Sequence, residues 1–336
     1  MKRFGPAAML PVRDPFRLDL TAQALRRIGS NVVDVFEEGT YYRALRAGGR
    51  TTMLAIRSHG SDGIEVRCTA GDPLAYAVTV ERLLGTRVDL SEWFLRARRI
   101  VWLRAVAERL CGVKPPRYPT LWEACVNAIV FQQISIYAAA AIMRRVVERL
   151  GEAVRVRSVA CVAFPPPRRW LECDDELLLS GGLSRNKVAH LRSAAEAALD
   201  GRLDEAELAR LPTPLAAARL SEIRGIGPWS AAVILLRGLG RLDIFPLRDS
   251  GVARSLALLA GDAHVDQADL LERLGPVRGM LYYHLLLGRL STLNDDAVRG
   301  GAPDGGSNQR KDRQPAHLQR DSSGPLRRRN DADVDQ

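Results

Sequence analysis

Hydrophobic and polar positions in the first seventy residues fall into short β-rich runs, 16–20, 41–45, 51–57 and 63–68, cut by turns such as Ala47-Gly48-Gly49. These runs and turns predict strands of an antiparallel sheet. Two helical stretches accompany it, residues 21–28 and 73–84, the second opening on Asp72 as N-cap with Pro73 in the first helical position. After about Asp89 the β signal stops: apolar residues recur every three or four positions through 93–110, 121–131 and 135–150. Further helices are predicted at 174–179, 184–199, 204–211, 214–223, 228–236, 249–259, 267–274 and 277–290, with Pro165-Pro166-Pro167 a rigid break between two of them. The chain therefore divides into an α+β N-terminal antiparallel sheet domain at 1–90, an all-α region at 91–299, and a segment 300–336 too poor in apolar residues to offset its ordering entropy, read as a disordered tail.

Composition narrows the class. The 336 residues are 46% hydrophobic and 26% charged, enough to bury a core. Lys plus Arg exceed Asp plus Glu by 49 to 39, a net +10 that favours polyanions such as nucleic acid or acidic lipid. Four of the basic residues are lysines, Lys2, Lys114, Lys187 and Lys311; the rest are arginines, suited to phosphate and of no use for amine chemistry. No apolar run is long and uninterrupted enough to cross a bilayer, and Pro11 and Arg13 stop the short run after Lys2-Arg3, so an intracellular, cytoplasmic protein is expected. Cys68, Cys111, Cys125, Cys161 and Cys173 are odd in number with no C-x-x-C spacing, which points to free thiols rather than a disulfide framework or metal ribbon.

The strongest local signal is Leu220-Ser221-Glu222-Ile223-Arg224-Gly225-Ile226-Gly227-Pro228-Trp229-Ser230. A helix ending near Ile223, a turn on two glycines and a second helix restarting at Pro228 would leave backbone amides free to hold a phosphate, although Gly225 could equally cap an ordinary helical hairpin. Twenty residues beyond Trp229 comes Asp249, after Phe245-Pro246. An Asp there serves as helix N-cap. Asp243 is the competing carboxylate and more simply holds its loop.

Together, Leu220–Leu256, the run Val130-Phe131-Gln132-Gln133-Ile134-Ser135 and the preceding α+β region resemble the helix-hairpin-helix, Gly/Pro-Asp (HhH-GPD) superfamily of DNA glycosylases, in its DNA-3-methyladenine glycosylase II branch. The resemblance implies a monofunctional enzyme of base-excision repair. Such an enzyme hydrolyses the N-glycosidic bond of alkylated purines in duplex DNA after extruding the nucleotide. Asp249 becomes the catalytic carboxylate, and Arg224, Gly225, Ile226 and Gly227 become DNA contacts. Gln133 with Ile134 becomes the wedge that fills the vacated gap, though Gln132 and Gln133 could instead bridge helices.

Trp229 stands where glycosylases with lyase activity carry a nucleophilic lysine, which implies attack by water. Its indole, immediately after the hairpin, suits a cationic base, with core packing as the alternative. Val277 stands where many relatives place a pocket tryptophan, and this leaves the lesion range open to an oxidised or deaminated base. Tyr282 or Tyr283 would then supply aromatic surface, though tyrosines at helical spacing also serve as core, and His284 is read as a core histidine. No cofactor is implied beyond a Na+ or K+ on the backbone carbonyls of Ser221, Ile223 and Ile226. A monomer suffices, and a non-enzymatic binder of DNA structure is the alternative from another class.

Overall fold

The structure, a computed structural model, describes residues 3–261 and 263–299. In chain order its elements are β1 (Ala7–Leu10), α1 (Leu18–Arg26), β2 (Asp34–Glu37), β3 (Thr40–Ala47), β4 (Arg50–Ser58), β5 (Ile64–Cys68), α2 (Ala77–Leu84), α3 (Ser91–Ala97), α4 (Val101–Arg109), α5 (Leu121–Val130) and α6 (Ile136–Leu150). There follow β6 (Glu152–Val156), β7 (Val159–Ala163), α7 (Pro167–Glu172), α8 (Asp175–Ser180), α9 (Arg185–Leu199), α10 (Glu205–Arg210), α11 (Thr213–Ser221), α12 (Pro228–Ile234), α13 (Ser250–Ala260), α14 (Gln267–Leu274) and α15 (Gly279–Arg299). The predicted tail at 300–336 lies outside the described residues.

The N-terminal sheet is antiparallel throughout, in the order β1-β5-β4-β3-β2. One face sets Tyr41, Leu54, Ile56, Ile64 and Val66 against Leu18, Ala22 and Leu25 of α1 and Leu83 and Leu84 of α2. Two expectations change here. The run at residues 16–20 is not a strand, because Leu18, Ala22 and Leu25 lie at three- and four-residue spacing and this helical face meets the sheet. The region beyond Asp89 is also not purely helical. Val154, Val156, Val159 and Cys161 alternate along a β6–β7 hairpin and pack on Ala44 and Met53, covering the second face of the same sheet. Residues Thr51 to Ile56 of β4 are consequently buried without alternation, as in a strand covered on both sides.

A charged network joins sheet to helices. Arg43 of β3 donates to Asp34 Oδ1 at 2.6 Å and to both oxygens of Glu123 on α5 at 2.7 and 2.5 Å, while Tyr41 Oη donates to Asp34 at 2.6 Å. The arginine and both carboxylates are almost wholly excluded from solvent. Burial raises the Glu123 carboxyl above its ordinary value, against the pull of the Arg43 guanidinium. Nearby, the buried Arg237 donates to the carbonyl of Ala24 at 2.9 Å, satisfying an end carbonyl of α1, and lies over the ring of Tyr118 at 4.8 Å.

The helices form two apolar clusters. One gathers α5, α6, α9 and α12; the other gathers α3, α4, α13, α14 and α15. The cleft between them holds the site described below. The cysteines are free, and burial pushes the thiols of Cys125 and Cys161 up to about 12, which keeps them protonated.

Replacing Arg43 by Met strands two buried carboxylates, so Arg43→Met is expected to cost about 3–5 kcal/mol, and Glu123→Gln, which keeps an acceptor, distinctly less. Denaturant unfolding of the two variants beside the parent measures the difference.

Candidate active site

Asp249 is the N-cap of α13, half-buried at the mouth of the helix. Its Oδ1 accepts from the amides of Gly251 at 2.7 Å and Val252 at 3.0 Å, and its Oδ2 accepts from Trp229 Nε1 at 2.9 Å. The cap is what the sequence predicts for an Asp before a helix. The indole bond is new, and it links two residues that are twenty positions apart. Of the lone pairs on the two oxygens, three are engaged and one on Oδ2 is left for another partner.

Both residues line a cavity of about 790 Å³, within the size range of small-ligand sites. Its walls come from the α5–α6 loop (Phe131, Gln133, Ile134), α12 (Pro228, Trp229, Val233), the start of α13 (Asp249, Val252) and one face of α15 (Tyr282, Leu285, Leu286). Arg27, from the end of α1, closes one side. Tyr282 thus sits where the sequence places an aromatic wall.

Two predicted pocket residues do not reach the cavity. Tyr283 follows Tyr282 by one helical position, which rotates it away; it is fully buried and donates to the carbonyl of Pro116 at 3.1 Å. Val277 lies in the 3-10 turn before α15 and packs in the apolar cluster below. His284 is a core residue as expected, accepting from Trp93 Nε1 at 3.2 Å, and burial depresses its imidazole to about 4. Asp243 accepts from Thr213 Oγ1 at 2.6 Å and holds its loop.

The glycine turn has the predicted form. α11 ends at Ser221, Ile226 N–H donates to the carbonyl of Ile223 at 3.0 Å, and Pro228 opens α12 behind an exposed Gly227 with no side-chain cap. The two glycines do different work. Gly225 has φ +92°, and a Cβ there would stand 2.4 Å from His190 Cγ, whereas a Cβ at Gly227 would meet nothing within 4 Å. Arg224 is exposed beside them and Ile226 is buried.

Across the cleft the α5–α6 loop separates the two glutamines. Gln132 Nε2 donates to the carbonyl of Gly225 at 2.9 Å and to Ser230 Oγ at 2.7 Å, so it bridges. Gln133 is exposed with φ +56°, and Ile134 beside it is also exposed, so these two project. Lys187, which sequence reasoning did not single out, donates through Nζ to the carbonyls of Val130 at 2.7 Å and Gln132 at 2.9 Å and caps the end of α5. Nothing local in the sequence marks it beyond the scarcity of lysine. Among the described residues no group of three His, Cys, Asp or Glu could hold a metal ion, and no helix is long and apolar enough to cross a membrane.

Residues 126–275, which carry the loop, the glycine turn and Asp249, match the family of HhH-GPD superfamily base excision DNA repair proteins. These residues are an HhH-GPD-like segment of the chain. A DNA-3-methyladenine glycosylase of Bacillus subtilis is 27% identical over 171 residues, 51% of this chain and 56% of that protein. A Mycobacterium tuberculosis protein named "Probable bifunctional transcriptional activator/DNA repair enzyme AlkA" is 30% identical over 264 residues, 75% of this chain and 51% of that one. The chain therefore spans about half the length of these two relatives. The solved 3-methyladenine DNA-glycosylase of Archaeoglobus fulgidus superposes with a TM-score of 0.70 at 24% identity, covering 85% of this chain and 99% of that one, and establishes the shared fold.

The contrast between the two glycines of the turn is testable. Gly225→Ala meets both a left-handed backbone and His190, and a loss of about 2 kcal/mol is expected. Gly227→Ala faces open space and should stay within about 0.5 kcal/mol of the parent. Thermal unfolding of both variants decides it.

Proposed function

We propose that this protein is a monofunctional DNA glycosylase acting on alkylated purines in duplex DNA, 3-methyladenine foremost, by extruding the nucleotide and hydrolysing its N-glycosidic bond. The observation that carries this reading is a carboxylate fixed by three donors at the wall of a cavity that also presents an indole. Breaking the bond builds positive charge on the sugar, and a preorganised anion stabilises that charge without reorganising at the moment of reaction. The free lone pair of Asp249 Oδ2 is available to orient the attacking water.

The target base is accessible only outside the stack, so the nucleotide swings into the cavity and a side chain takes its place. Gln133 and Ile134, projecting from the rim, are the groups for that gap. Amides around Gly225 and Gly227, with the exposed Arg224, take the backbone phosphates, and the net +10 charge supports this nonspecifically. The indole of Trp229 lends its face to a cationic base, which already leaves readily. The protein would act on DNA inside the cell, as a monomer, since one extruded base needs one site.

The turn also offers oxygen ligands to a Na+ or K+. Among the described residues, no backbone amide donates to the carbonyls of Ser221 and Ile226, and that of Ile223 accepts one amide, so the three oxygens fit an ion that would stiffen the phosphate contact.

Asp249→Asn is expected to lower base release from methylated DNA by about a hundredfold or more while leaving duplex affinity close to the parent's. Equal release by the two proteins would show a binder of DNA structure rather than a hydrolase. Because Trp229 occupies the position of a lyase lysine, borohydride should trap no covalent DNA adduct, and a trapped adduct would refute attack by water.

A further inference from the structure

A second, smaller chamber lies behind the wall of the cavity that contains Asp249, between the end of α1, the start of β2, α5 and α6. It holds about 30 Å³ and is bounded by Arg26, Arg27, Asp34, Tyr118, Glu123 and Asn127, with apolar groups around them. Arg27, Asn127 and Phe131 line both spaces and form the partition between them. A single water needs about 10–15 Å³, so the chamber admits a one-atom ion and is too small for a phosphate or a carboxylate ligand.

Among the described residues, two donors at this chamber have no acceptor. Arg27 is 8% exposed, its guanidinium lies over the ring of Phe131 at 4.2 Å, and its Nε is buried without a hydrogen-bond partner. Arg26 donates through Nη1 to the carbonyl of Phe36 and through Nη2 to that of Gly29, and its Nε is likewise buried and unpartnered. The carboxylates nearby are already engaged: Asp34 Oδ1 accepts from Tyr41 and Arg43, and both Glu123 oxygens accept from Arg43. The left-handed backbone at Arg27, φ 60°, breaks the phase of α1, so two consecutive side chains line one chamber although neighbours on a helix point apart.

The charges do not balance either. Among the described residues, Arg27, Arg43 and Arg237 are buried here against Asp34 and Glu123, and Arg27, Arg237, Asp34 and Glu123 all act electrostatically on Tyr118 in the chamber wall. Arg26 adds to the positive surplus, whereas Arg144, also on the wall, pairs with Glu148 at 2.9 Å. A water molecule would satisfy the donors and leave the surplus charge, which is costly when buried. A monovalent anion answers both.

We infer that this chamber binds a halide ion, chloride above all, held by the Nε–H groups of Arg26 and Arg27. The guanidinium is weakly hydrated for a cation, and with the apolar surface of Phe131, Phe164 and Met143 it suits a large, weakly hydrated anion better than fluoride. The ion would neutralise from behind the charge that Arg27 presents to the larger cavity. The site is independent of the glycosylase reading, since neither Asp249 nor Trp229 takes part in it.

Two measurements on the full-length protein test this. Crystals grown in sodium bromide, with diffraction recorded at the bromine absorption edge, are expected to show an anomalous peak in the chamber within hydrogen-bond reach of both Nε atoms. Bromide on the surface with none in the chamber overturns the inference. At constant ionic strength, replacing glutamate by chloride or bromide should raise Tm by about 2 °C or more and level off as one site fills, with a smaller rise in fluoride. Arg27→Met removes a donor together with the surplus charge, so its Tm should not respond to the halide. Arg26→Met loses the other donor and should need about tenfold more chloride for the same rise; it carries the comparison if the first variant fails to fold. A parent protein that does not respond overturns the inference, as does an equal response in parent and variants. A peak in the crystal without a response in solution marks binding at crystal concentration only and overturns it too.

Discussion

The site turns on one hydrogen bond, from the indole N–H of Trp229 to Oδ2 of Asp249. A carboxylate at a helix N-cap is already anchored through one oxygen, because the first amides of the helix need an acceptor. Rotation about the remaining torsion would still swing the other oxygen. The indole removes that freedom and fixes the relation between α12 and α13, which belong to different apolar clusters. The cavity therefore exists where the clusters face one another without merging, and its chemistry sits on the contact that spans them. The N–H edge of the indole is committed to Asp249, and both residues line the cavity.

The N-terminal half contributes to this geometry from a distance. Its sheet is covered on one side by α1 and α2 and on the other by a hairpin from the second half of the chain, so the two halves share a core. The buried Arg43 pins β2 and β3 to Glu123 at the start of α5. At the far end of the same helix, Lys187 takes the carbonyls of Val130 and Gln132. With α5 held at both ends, the loop that follows it is fixed although its tip is exposed. The end of α1, secured by Arg237 through the carbonyl of Ala24, delivers Arg27 into the cleft from the sheet side.

Patterning located β3, β4, β5 and most helices, because each has enough residues for its period to show. β1 and β2 have four residues apiece, too few for alternation to register. The β6–β7 hairpin did alternate, in Val154, Val156, Val159 and Cys161, but it is short and lies between two strongly helical runs. In the site, Asp249 and Trp229 were legible because cap, turn and spacing are local marks. Tyr283 and Val277 were misplaced because a resemblance gives a neighbourhood and not the rotational phase of α15, which turns Tyr282 toward the cavity and Tyr283 toward Pro116. Lys187 was not found because its role depends on contacts with the end of α5, far away in sequence.

The bridge made by Gln132 carries the last step. By donating to the carbonyl of Gly225 and the hydroxyl of Ser230, it ties the loop bearing Gln133 and Ile134 to the turn whose amides face outward. A loop free to move would lose ordering entropy each time it entered a duplex, and that loss would offset much of what its contacts gain. Here Gln133 already holds a left-handed backbone at φ +56°, and Lys187 and Gln132 hold the residues on its N-terminal side. The ordering was met when the protein folded. In the proposed reading, a phosphate grip on the turn and a wedge on the loop would then act as one rigid surface, so that engaging the backbone on one side of the cleft would set the position of the side chains on the other.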